Sequence, residues 1–428
     1  MTQLTFLDVE EQQTFDADEW TFNGASTRQL THCYHDYPAR MIPQIAGKLL
    51  DRFDGGSLRV LFDPYCGTGT SLVEGTVRGI SVIGTDLNPL ARLIATAKVA
   101  IPDEKLVSDT IQLLRTQNAE RSLTPVDPPD TLDGVSNLGF WFKPEVVAKL
   151  AQLRNFVSAI DDDNVKLFFE VAFSETAREA SNTRKNEFKL YRYAPEKLND
   201  HNPDVYALML RKLNRNSDGL HQFAQLLATR GYQPNTAIHD FNTVQGIPAT
   251  AVAEGQVDIV ITSPPYGDSH TTVAYGQYSR LSAAWLGLAE PQRVDTRLMG
   301  GKLADISEFS SNALNEAISR VADRDEKRAR EVSSFYDDLH RSITNIGPVV
   351  RRGGWTCYVV GNRKVKGNIL PTDAAVQSFF EEVGFDYVCT FQRSIPNKRM
   401  PLRNSPTNAP GEVENTMHRE SIVVMRKR

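Results

Sequence analysis

The stretch from Leu58 to Asp86 constrains the fold more than any other part of the chain. Leu58-Arg59-Val60-Leu61-Phe62 reads as a strand, and it runs into the glycine-rich turn Asp63-Pro64-Tyr65-Cys66-Gly67-Thr68-Gly69-Thr70. A helix-like segment, 71–77, follows, and then a second strand that ends in an acid, Ser81-Val82-Ile83-Gly84-Thr85-Asp86. Strand, glycine-rich turn, helix and strand open a mononucleotide-type βαβ unit. The turn is neither GxGxxG nor followed by Gly-Lys-Ser/Thr, which argues against a dinucleotide or a nucleoside triphosphate. An acid placed as Asp86 is can take both ribose hydroxyls of a bound nucleoside.

A second motif lies far downstream. The run Val257-Asp258-Ile259-Val260-Ile261 ends abruptly in Thr262-Ser263-Pro264-Pro265-Tyr266. The two prolines fix φ and carry no N–H donor. Their carbonyls and the Ser263 hydroxyl are left to accept hydrogen bonds from a substrate amino group. Tyr266 offers a flat face for a planar base. Acceptors beside a stacking platform suit an exocyclic amine on a nucleobase.

With these residues in one chain, the sequence resembles the S-adenosylmethionine-dependent amino-methyltransferases of DNA. Within them it looks most like the cytosine-N4-specific type of restriction–modification systems. The resemblance implies that Asp63, Tyr65, Cys66, Gly67, Thr68, Gly69 and Thr70 belong to the cofactor loop. It implies that Asp86 binds the ribose, that Leu87 and Asn88 lie beside the adenine, and that Asp240, followed by Phe241, takes the adenine amino group. The segment 31–43, with Tyr37 and Pro38, resembles the part that closes over the methionine end of the cofactor. Ser263, Pro264, Pro265 and Tyr266 match the catalytic motif. Serine in its first place leans toward cytosine N4, whereas asparagine or aspartate there leans toward adenine N6. The likeness covers residues 31–428.

The chemistry implied is direct methyl transfer to a base flipped out of the duplex. Methylation at cytosine C5 instead needs a cysteine nucleophile, usually in a Pro-Cys pair, and the sequence has no such pair. Cys66 reads as a small turn residue. The four cysteines are scattered without a CxxC pair, so no zinc site is expected and the setting is a reducing cytoplasm. No run of 18 apolar residues and no secretory leader is present, so no membrane association is expected.

A net charge of −5 argues against indiscriminate binding to nucleic acid. Basic residues are nonetheless grouped, at Arg351-Arg352, at 363–366, and at Arg393, Lys398, Arg399 and Arg403. A sided surface of that kind can hold phosphates.

The alternation of strands and helices predicts a doubly wound, mostly parallel, seven-stranded Rossmann-like α/β sheet with a helical insertion. Residues 1–30 read as an N-terminal arm. Residues 31–135 and 231–428 form the catalytic domain, and 136–230 form the insertion, a candidate target-recognition region with helices at 144–160, 165–180 and 206–229. Between the last two helices, Arg184, Lys185, Lys189 and Arg192 lie among asparagine and tyrosine, a mixture suited to base edges and phosphates. Lys398 and Arg399 are further candidates for DNA contact. The polar stretch 267–280 reads as a substrate-facing loop before a short helix at 281–288, and 385–391 and 421–425 as a closing antiparallel pair.

The partners implied are double-stranded DNA and a cognate restriction endonuclease that shares the function without a stable complex. The alternatives are adenine-N6 methylation, methylation of RNA guanine N2 or protein glutamine, and a non-catalytic DNA-binding module that keeps the cofactor as a ligand.

Overall fold

The computed structural model describes residues 17–185, 187, 189–229, 234–267, 273–395, 403–404, 414–415 and 419–428. Its central sheet has seven strands: β1 (Val60–Asp63), β2 (Ser81–Thr85), β3 (Thr236–His239), β4 (Val257–Thr262), β5 (Val350–Val360), β6 (Phe385–Ser394) and β7 (Arg419–Lys427). They lie in the order β3-β2-β1-β4-β5-β7-β6. Neighbours among the first five strands are parallel, and β7 runs antiparallel to both β5 and β6. This is the doubly wound, mostly parallel α/β architecture that the sequence predicts.

The near-continuous apolar runs have a simple cause. Helices cover both faces of the sheet, so alternate strand residues enter two different cores. Leu61, Val82, Ile259, Ile261, Val359 and Val424 join one layer with α1 (Pro43–Phe53), α2 (Thr70–Val77) and the end of α3 (Pro89–Val99). Their neighbours Phe62, Ile83, Val260, Tyr358, Val360 and Val423 join the opposite layer.

Between β2 and β3 stand α4 (Glu104–Ala119), α5 (Pro144–Ser158), α6 (Asp163–Ala180) and α7 (Val205–Ala228). Aspartates cap three of them: Asp103, Asp162 and Asp204 each accept from a first-turn N–H of α4, α6 and α7. Their apolar core also takes in Tyr34, Tyr37, Leu90 and Ile94, so it is continuous with the segment before β1 and with α3.

One helix departs from the expectation. The stretch read as a loop becomes helical from Tyr275, in α8 (Tyr275–Leu286). The first turn is stabilised from a distance, because Asp295 accepts from the N–H groups of Gly276 and Gln277 at 2.8 and 3.2 Å. No residue just before Tyr275 signals a cap, so local pattern reading starts the helix too late. The far face of the sheet carries α9 (Asn312–Ala322), α10 (Glu326–Val349) and α11 (Thr372–Glu382).

Within the stretch read as an arm, residues 17–20 form a helical turn, and Trp20 is fully buried, stacked on Phe391 of β6 at 4.6 Å. No described helix is long and apolar enough to cross a membrane.

Candidate active site

Parallel strands β1 to β4 finish at one edge of the sheet, and that edge gathers the expected site residues. Asp63 closes β1 and is 3 % exposed. One oxygen accepts from the Tyr65 N–H at 3.1 Å and from the Thr262 hydroxyl, and the other accepts from the Ser71 hydroxyl. Burial pushes this carboxyl up to about 6, although the three hydrogen bonds pull it down. Its partners lie within the protein, so Asp63 organises the loop. Tyr65 points the other way and bonds to Ser342 of α10.

Beyond them the turn is left-handed at Gly67 (φ 49°) and Gly69 (φ 75°). A Cβ at Gly67 would meet nothing within 4 Å, whereas one at Gly69 would sit 3.1 Å from the Ala95 side chain. The first glycine therefore faces open space and the second allows loop and helix to pack. Thr70 begins α2. Thr68 accepts from Lys98 Nζ at 3.2 Å. Lys98 is fully buried, and burial, then the charge of Arg40, push its amine well down. Cys66 is buried too, and burial pushes its thiol well up, which suits a packing role over a nucleophilic one.

At the end of β2, Asp86 faces the same turn. Its carboxylate accepts from Gly67 N–H at 3.0 Å and from Asn88 N–H at 2.8 Å. Burial pushes this carboxyl up. Leu87 beside it is half-buried. Asn88 is 1 % exposed and fully engaged. Its oxygen caps α3 at Leu90, and its amide donates to the Tyr37 hydroxyl and to Ser279 Oγ, at 2.7 Å each. Asn88 thus ties the segment before β1 and helix α8 to the loop after β2. Tyr37 also stacks on Tyr275 at 5.9 Å, and Pro38 next to it is buried.

The end of β3 adjoins, since Asp86 N–H donates to the His239 carbonyl at 3.3 Å. Asp240 follows at an exposed position. The Phe241 carbonyl accepts from Thr85 Oγ1 at 2.7 Å, and its ring lies 6.4 Å from Phe62.

The exit of β4 completes the edge. Ser263, Pro265 and Tyr266 are half-buried and Pro264 is buried. Ser263 Oγ donates to the Tyr266 hydroxyl at 3.2 Å, and Tyr266 donates to Glu420 Oε1 of β7 at 2.8 Å. Burial, then the charge of Glu420, push the phenol well above its usual range. Immediately after the motif, Gly267 has a φ of 144°, which disfavours other residues, and a Cβ there would also push the Arg363 guanidinium aside. Sequence reading did not single out Thr262 or Glu420 as site residues. Thr262 was visible only as part of the motif string, and Glu420 is 154 residues from Tyr266 in the chain, so only the sheet order joins them.

The four basic candidates of the insertion meet on one loop, where Thr183 and Arg192 form a β-bridge. Arg184 is exposed and lies 5.9 Å from the Tyr191 ring. Arg192 lies 4.4 Å from the Phe140 ring, and Lys189 is half-buried. Lys185 is exposed but pairs with Glu179 at 3.4 Å. Lys398 and Arg399 lie outside the described residues.

The edge therefore holds an open glycine turn with an acid beside it, next to a serine–proline turn rich in acceptors. The first suits the sugar of a nucleoside cofactor, and the second suits an amine. No protein-family model matches the chain. It is 39 % identical over 423 residues to the type II methyltransferase M.MvaI of Kocuria varians, a match spanning 95 % of this chain and 93 % of that protein. It is 20 % identical over 439 residues to the type II methyltransferase M.BsoBI of Geobacillus stearothermophilus, across 88 % and 82 % of the two. Among solved structures, the rRNA methyltransferase aviRa from Streptomyces viridochromogenes covers 92 % of this chain and 88 % of its own at 10 % identity and a TM-score of 0.35, too distant to bear on function. The match to M.MvaI runs nearly the full length of both proteins, and on that ground the chain belongs to the type II methyltransferases.

Proposed function

We propose that the chain methylates duplex DNA at a specific sequence, placing a methyl group on the exocyclic N4 of a cytosine swung out of the helix. Its methyl donor is S-adenosylmethionine. The observation that carries the reading is the hydrogen bond from Thr262 to Asp63, which ties the catalytic turn to the cofactor loop. Acceptor and donor sites are thereby held side by side, as in-line transfer requires.

The residues present fit the cofactor. The Gly67 turn opens to free space, and Asp86 keeps lone pairs for a ribose diol beyond the two N–H groups that it accepts from. Asp240, just after β3, would take the adenine amino group, and Tyr37 would lie at the methionine end. When bound, the cofactor supplies an electrophilic methyl group on a sulfonium.

The protein's own part is to present the nucleophile. The N4 lone pair of cytosine is delocalised into the ring. Ser263 Oγ and the Pro264 carbonyl accept from the two N–H bonds and draw that nitrogen toward a tetrahedral shape. Flipping a base costs a few kcal/mol. Stacking on Tyr266 returns about 1–3 kcal/mol of it. The cations Arg184, Lys189 and Arg192, with the exposed rings of Tyr191 and nearby Phe140, support a DNA-facing role for the insertion.

The test is a product assay. The enzyme is incubated with labelled S-adenosylmethionine and mixed-sequence duplex DNA, which is then digested to nucleosides for mass identification. N4-methylcytosine is the expected product. N6-methyladenine overturns the base assignment and keeps the amine chemistry. Label on RNA or protein alone overturns the DNA reading.

A further inference from the structure

The hydroxyls of the catalytic turn belong to a chain that ends on a buried ion pair. Ser263 donates to Tyr266 at 3.2 Å and Tyr266 donates to Glu420 at 2.8 Å. The other Glu420 oxygen accepts from Arg393 of β6. Glu420 and Arg393 are direct cross-strand partners on β7 and β6, with side chains 13 % and 7 % exposed. Arg393 is fixed in turn by donating from Nε to the Trp20 carbonyl at 3.1 Å. Two strands and the N-terminal turn therefore converge on one phenol.

Counting protons sets the sense of this chain. A carboxylate paired with a guanidinium offers only acceptors. Tyr266 has one proton, which goes to Glu420, so its oxygen must accept from Ser263. Ser263 likewise has one proton, which goes to Tyr266. Only lone pairs remain on Ser263 Oγ for anything that enters the site.

We propose that Glu420 and Arg393 are positioning residues that act through Tyr266 to make Ser263 an obligate hydrogen-bond acceptor, and so select a base that presents an amino group at this point. A base with a carbonyl in the same place, such as uracil or thymine, would set lone pair against lone pair. The inference rests on the proposed role of Ser263 facing the target base. It does not depend on which amino base is used, because cytosine and adenine both present N–H donors.

Two variants and their combination test it. Glu420→Gln puts an amide where the carboxylate stood, and the amide can donate to Tyr266 and release the Ser263 proton toward the substrate. Tyr266→Phe keeps the ring and removes the link. Each is expected to lower kcat by about tenfold to a hundredfold, the scale of one misdirected buried hydrogen bond. The KM for DNA and the calorimetric affinity for S-adenosylmethionine should change by less than about threefold, a split that marks loss of an interaction in the reaction step. The double variant should be no slower than the slower single one, because both break one chain. At the position mapped by product analysis, both variants should also narrow the ratio of binding to duplexes carrying the amino base and its keto counterpart. Multiplying effects in the double variant, an unchanged kcat, or an unchanged binding ratio would each overturn the proposal. A product of N6-methyladenine would alter the base pair compared and leave this test intact.

Discussion

Ser263 and Asp86 are two of the proposed site residues, and their loss should be felt in different measurements. Ser263→Ala is expected to lose at least about a hundredfold in turnover, with cofactor affinity retained. Unchanged turnover would remove Ser263 from the reaction. Asp86→Ala should weaken cofactor binding by tenfold or more, about the worth of a charge-assisted hydrogen bond, and calorimetry reads this directly. Gly84 is a third sensitive position, for packing. A Cβ there would lie 2.7 Å from Leu72 Cδ1 and 3.0 Å from both Cys66 Cβ and Sγ. Gly84→Ala should therefore cost about 1–3 kcal/mol in urea unfolding, as overpacking does. At this scale the sequence was readable wherever chemistry is local. Glycine, proline and a terminal acid announced the two turns. The Asp63–Thr262 and Tyr266–Glu420 contacts were not readable, since each spans more than 150 residues of chain.

At the scale of elements, the segment before β1 is latched to the insertion by a buried carboxylate. Glu175 of α6 accepts from Arg215 at 2.8 Å, pairs with Lys212 at 3.2 Å, both on α7, and accepts from the Asp36 N–H at 3.0 Å. Burial pushes this carboxyl up, but the charges of His35, Lys212 and Arg215 outweigh burial and hold it at about 2, against an ordinary 4.5. A depressed carboxyl stabilises the fold above its unfolded value, so this contribution is present above pH 4.5 and lost as pH falls through about 2. Glu175→Ala leaves Arg215 without a carboxylate, while Lys212 keeps Glu179 at 2.6 Å, and should cost about 1–3 kcal/mol near neutral pH. The difference from the parent protein should shrink as the unfolding buffer is taken from pH 5 toward about 2, and a constant difference would deny the latch. Strands and long helices were legible because their apolar periods are strong. The start of α8 was not, because its cap, Asp295, lies 19 residues beyond Gly276 in the first turn.

For the whole molecule, the net charge of −5 and the proposed DNA substrate are reconciled by location. The insertion offers cations on one loop, while acids such as Glu175 and Glu179 are paired within the fold. Arg184→Ala and Arg192→Ala should each weaken binding to DNA of any sequence and lower the slope of log affinity against log salt by about one. Unchanged slopes would move the phosphate contacts elsewhere.

The order β5-β7-β6 has a consequence in time. Strand β6 is synthesised before β7, yet among the described residues its sheet pairing is with β7 alone. When β6 leaves the ribosome, β1 to β5 are already made and β6 has no strand to pair with. Tyr266 likewise gains its bond to Glu420 only once β7 is made. Of the seven sheet strands, β7 is thus the one that brings both a partner for β6 and a partner for the Tyr266 hydroxyl.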